Sequence, residues 1–119
     1  MQLPSEGELL RIFIGSSDQY NSRPLHEVIV EEARKRGMAG ATVLRGTLGF
    51  GAHSRIHTAK ILRLSEDLPM VIEIVDSPER IEAFIPLLDN WMDEGMVTVE
   101  KVRVMAYRHS ETKAGRKDR

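Results

Sequence analysis

Arg45-Gly46-Thr47-Leu48-Gly49-Phe50-Gly51-Ala52-His53-Ser54-Arg55-Ile56-His57 gathers three glycines, two arginines and two histidines into one short stretch. That composition suits an anion site. Glycine lets a backbone approach a ligand closely, bare N–H groups meet anionic oxygens, and arginine adds charge. A bulged strand running into a loop would use the same residues, and composition alone leaves both readings open. No Gly-Lys-Ser/Thr follows, so the segment is not a Walker loop. Nor does Gly-x-Gly-x-x-Gly follow a first strand, which excludes a Rossmann fingerprint.

Other residues could do chemistry, each with a plainer reading beside it. His53 and His57 are four apart, the spacing of two metal ligands on a helix face, but no acidic or thiolate partner lies nearby and no metal is expected. His26 and His109 are isolated and read as surface residues. Glu73 stands mid-strand between Val71 and Val75, where it is either a general base or the partner of an arginine across an interface. Lys101, Arg103 and Arg108, with Tyr107 among them, set basic groups along or just beyond the last strand, as a solvated face or as the completion of an anion site. Ser16 and Ser17 are loop-capping types. No acid–base pair and no nucleophile with its base emerges, so a non-enzyme is expected.

The elements that must position these residues follow from periodicity. Leu9-Leu10-Arg11-Ile12-Phe13-Ile14 predicts a buried first strand ending at Gly15. Pro24 opens a helix with the stripe Leu25, Val28, Ile29 and Ala33, ended by Gly37. Ala41 to Phe50 predicts a second strand, and Ile61 to Leu64 a short extended piece. Met70 to Val75, rich in β-branched residues, predicts a third strand. Asp76-Ser77-Pro78-Glu79 is a helix start. The helix carries Ile81, Phe84, Ile85, Leu88, Trp91 and Met92, with a slight kink at Pro86. After Gly95, the apolar phase changes from Val97 and Val99 to Val102 and Val104, which predicts a bulge near Glu100-Lys101 or two strands.

This order predicts an α+β, ferredoxin-like βαββαβ domain: a four-stranded antiparallel sheet with two helices on one face. Both faces of the strands are apolar and the helices cover one, so self-association is expected. The 119 residues fit one domain, residues 8–108, followed by a charged tail, 109–119, expected to be disordered. With no cysteine there is no disulfide framework, and the net charge of −1 offers no global attraction to nucleic acid or an acidic membrane. The strands lack interleaved aromatics for RNA. No segment reads as a signal peptide or a membrane span, so a cytoplasmic protein without direct membrane insertion is expected.

Four motifs in order carry a resemblance: Arg45 to Gly51 as quoted; Leu64-Ser65-Glu66-Asp67-Leu68-Pro69; Val75-Asp76; and Ile81-Glu82-Ala83-Phe84-Ile85-Pro86-Leu87-Leu88-Asp89. Together they resemble the uncharacterised PII-like proteins, small relatives of the PII nitrogen-signalling proteins, over residues 8–108. The resemblance implies a homotrimer that binds an adenine nucleotide in clefts between subunits, at the base of the loop joining the second and third sheet strands. It further implies that this loop regulates a partner, such as a membrane transporter or a metabolic enzyme. Gly49-Phe50-Gly51 matches the loop base. By the same resemblance Gly46, Gly49, Gly51, His53, Ser54, Arg55, Glu73 and Arg103 become the candidate binding residues. The glycine-rich phosphate loop of true PII proteins is reduced here to Asp93-Glu94-Gly95, which implies AMP or ADP rather than ATP. No tyrosine lies between Gly51 and Pro69 to accept a uridylyl group. Two other readings are a trimeric metal-binding protein using His53 and His57, and a small enzyme acting on a phosphorylated metabolite.

Overall fold

A computed structural model describes residues 5–51 and 67–108. The first strand, β1 (Glu6–Gly15), runs into a two-residue turn between β2 (Gln19–Tyr20) and β3 (Arg23–Pro24). Asn21 and Ser22 both take positive φ there, 51° and 66°, as a tight hairpin between right-twisted strands requires. Helix α1 (Leu25–Lys35) then buries Leu25, Val28, Ile29 and Ala33, the expected stripe. Gly37, at φ +72°, ends it: its N–H bonds to the Arg34 carbonyl and that of Met38 to the Ala33 carbonyl, a Schellman arrangement.

The remaining strands are β4 (Thr42–Arg45), β5 (Pro69–Asp76) and β6 (Met96–Arg103). With β1 they form one antiparallel sheet in the order β4-β5-β1-β6, which is the ferredoxin-like order. Leu10, Ile12 and Ile14 of β1 and Met70, Ile72 and Ile74 of β5 point to one face. There they meet Ile29 and Ala33 of α1 and Ile81, Phe84 and Leu88 of the second helical segment. Both helices therefore lie on one face, as expected.

Three expectations need correction. The second strand stops at Arg45 rather than reaching Phe50. Opposite Gly46 stands Pro69, whose carbonyl accepts the Gly46 N–H at 2.7 Å but whose ring nitrogen has no hydrogen to return. The ladder ends there. Secondly, Pro86 does more than kink its helix. Helix α2 (Pro78–Phe84) gives way to a 3-10 segment, Ile85–Asn90, because Pro86 breaks the i→i−4 ladder and the chain tightens. Ser77 caps α2 by accepting the Arg80 N–H, as read from the sequence. Thirdly, β6 contains no bulge: it pairs with β1 in unbroken register from Phe13↔Met96 to Glu6↔Arg103. Its apolar residues simply change face, Val97 and Val99 toward the helices, Val102 toward the opposite side. The extended piece expected at Ile61 to Leu64 and the tail, 109–119, lie outside the described residues.

Candidate functional site

The uncovered sheet face is organised in cross-strand rows. Leu44, Val71, Phe13 and Met96 stand side by side across all four strands. Leu44 and Met96 are 48% and 54% exposed. The next row is polar: Thr42, Glu73, Arg11 and Thr98. Here the Arg11 guanidinium donates to Glu73 at 2.9 Å and to Glu100 at 2.7 Å. The Glu73 hydrogen bond, chiefly, raises the guanidinium further above its ordinary range. Glu73 thus finds its arginine on the neighbouring strand of its own chain, correcting the expectation of one across an interface.

Residues 45–51, the described part of the glycine-rich segment, sit at the end of the sheet beside the apolar row. A Cβ on Gly46 or on Gly49 would lie 2.9 Å from Pro69 Cγ, and Gly49 has φ +156°. Both glycines are therefore required by close packing on a proline. Beside Gly51, by contrast, an added Cβ would meet no atom of the described residues within 4 Å, and with Phe50 it walls a cleft of about 440 Å³. The cleft floor is apolar, with Phe13, Pro69 and Met96, while Asp18, Asp67 and Glu94 stand at its sides. Two of these carboxylates hold turns: Asp18 accepts the Gly15 N–H at 3.0 Å and Asp67 the Ser17 N–H at 3.2 Å. No arginine or lysine lines the cleft among the described residues.

The described candidate residues do not converge within one chain. Gly46, Gly49 and Gly51 stand at one end of the sheet. Glu73 lies mid-sheet, about 13 Å along β5 from Pro69. Arg103 is at the far end of β6, about 23 Å of strand from Met96, with Met105 Sδ 3.6 Å from its guanidinium. It does not complete an anion site beside the glycines of its own chain. His53, Ser54, Arg55 and His57 lie outside the described residues, as does His109. His26 is half-buried on α1 rather than a surface residue.

Some contacts were not foreseen. Asp76, wholly buried, accepts the N–H of Ala39 at 2.8 Å and of Ser77 at 2.7 Å, fixing the link after α1 to the end of β5. Tyr107 reaches over the open face to donate to the Ala39 carbonyl at 2.9 Å. The visible signs of the Arg11 network are two charges inside apolar runs, Arg11 in β1 and Glu73 in β5; that they pair depends on register, which no local pattern reveals.

In fold the chain is similar to solved structures of CPII, a nitrogen regulatory PII-like protein. It is similar to the structure of CPII from Thiomonas intermedia K12 bound to ADP, AMP and acetate, with a TM-score of 0.57 and 16% identity over 85% of this chain and 90% of that one. The structure of CPII bound to ADP and bicarbonate is similar too, with a TM-score of 0.55 and 19% identity over 83% and 88%. Residues 7–104 match the DUF190 family, described as "Uncharacterized ACR, COG1993", and the chain belongs to that family. A UPF0166 protein of Aquifex aeolicus is 35% identical over 98 residues, 82% of this chain and 92% of the relative. Another, of Methanocaldococcus jannaschii, is 31% identical over 83 residues, 70% and 76%.

Proposed function

We propose that this chain, as a single domain over residues 8–108, is a PII-like regulatory protein that binds an adenine nucleotide between the subunits of a homotrimer. The observation that carries the reading is a fold shared along most of the chain with CPII, whose structures hold ADP and AMP. The row Leu44–Val71–Phe13–Met96, left uncovered by the helices, supports burial against further copies of the chain. An adenine ring would enter the apolar cleft beside Phe50 and Gly51, with its phosphates directed away from Asp18, Asp67 and Glu94. Cations for the phosphates would come from Arg55 and from Arg103 of a neighbouring subunit, since Arg103 stands far from the cleft of its own chain. Asp93-Glu94-Gly95 offers few phosphate donors, which favours AMP or ADP over ATP. Nucleotide would shift the population of the loop beyond Gly51, and so its engagement of a regulated protein.

Glu73, held by Arg11, is poorly placed to act as a general base, which favours regulation over catalysis. A thermal-shift series with AMP, ADP, ATP and zinc tests the assignment. Stabilisation that grows with AMP or ADP concentration supports it. Stabilisation by zinc alone, lost when His53 and His57 are both replaced by alanine, would favour the metal-binding reading instead.

A further inference from the structure

On the helix layer, opposite the open sheet face, the end of α1 and the side of α2 enclose a groove of about 360 Å³. Its floor is Met38, Phe84 and Leu87, and its rims carry Arg36 and Arg80. Both guanidiniums are held in place. Arg36 lies over the Trp91 ring, 5.8 Å from its centroid, and pairs with Glu32 one turn back on α1. Arg80 donates to the Gly37 carbonyl at 2.7 Å and has no carboxylate partner among the described residues. Glu32 also draws Lys35, so the rim retains a net positive charge. Two fixed planar donors beside an apolar floor recognise carboxylates flanking an apolar side chain.

From this geometry we infer that the groove is a docking site for a partner protein segment in which acidic residues alternate with large aliphatic ones. The aliphatic side chain fills the space over Phe84 and Leu87, and the carboxylates meet Arg36 and Arg80. Charge complementarity selects this occupant: a basic segment is repelled, and a neutral one leaves Arg80 without a carboxylate. The groove faces away from the apolar sheet row, so self-association through that row leaves it open. It stands independently of nucleotide binding.

Trp91 is the only tryptophan of the chain and lies under Arg36, so its emission reports directly on the groove. The test titrates the full chain with an acetylated hexapeptide of alternating leucine and aspartate, and with its leucine–asparagine counterpart. Isothermal calorimetry runs in parallel. The expected result is saturable binding of the aspartate peptide with a change in Trp91 emission, weakened by salt and weakened about tenfold by Arg80→Gln. Arg36→Gln should weaken it similarly in calorimetry, where the altered tryptophan environment does not interfere. Equal binding of the asparagine peptide, unchanged affinity in Arg36→Gln/Arg80→Gln, or no saturable binding by either method overturns the proposal.

Discussion

Gly46, Gly49 and Gly51 share a loop but answer to different constraints. The first two are pressed onto Pro69, where a Cβ would stand 2.9 Å from Cγ. Gly49→Ala therefore adds a contact and an unfavourable φ, and should lower unfolding stability by about 1–2 kcal/mol in urea titration. An added Cβ on Gly51 meets no atom of the described residues within 4 Å, so Gly51→Ala should move the denaturation midpoint less than Gly49→Ala. An effect of Gly51→Ala on nucleotide affinity would then be local to the cleft. Asp76 is a different kind of residue: buried, and accepting two backbone N–H groups. Asp76→Ala strands both donors and should cost about 2–4 kcal/mol by the same measurement.

At the scale of elements, prolines decide where ladders stop. Pro69 ends the pairing of β4 with β5, and Pro86 divides the second helix into α2 and a 3-10 segment. The divided helix still seats Phe84 and Leu88 in the core, with Phe84 packed 6.0 Å from the Trp91 ring. Phe84→Ala should cost about 3–5 kcal/mol, read from its chemical denaturation midpoint. Much of this level was legible in the sequence, because periodicity is local: the α1 stripe, the Ser77–Pro78 start and the β-branched run of β5 all stand where read. The second strand was read too long because Leu44, Leu48 and Phe50 continue the alternation past Arg45, while the missing N–H belongs to Pro69, distant in sequence. Likewise the phase change in β6 has two local explanations, a bulge or a change of face. Only its pairing with β1 chooses between them. The candidate residues were readable only as a cluster of types: the glycines stand together in the sequence, but the packing need of Gly46 and Gly49 and the separation of Arg103 are tertiary facts.

At the scale of the whole molecule, one sheet face is closed by helices and the other presents an apolar row ending beside an acid-sided cleft. Leu44→Asp with Met96→Asp alters only half-exposed side chains, so each subunit should fold. On the proposed self-association through this row, sedimentation should then show a smaller assembly than the unaltered protein; an unchanged mass would contradict that contact. Arg103 and the glycines meet only if neighbouring subunits supply them to one cleft, so disassembly should also abolish nucleotide binding. The most direct measurement is calorimetric titration of the protein, first shown to be free of carried-over nucleotide, with AMP, ADP and ATP. Saturable heat with AMP or ADP, at higher affinity than with ATP and lost on Arg103→Gln, is the predicted result. No heat with any of the three would contradict the nucleotide-binding assignment.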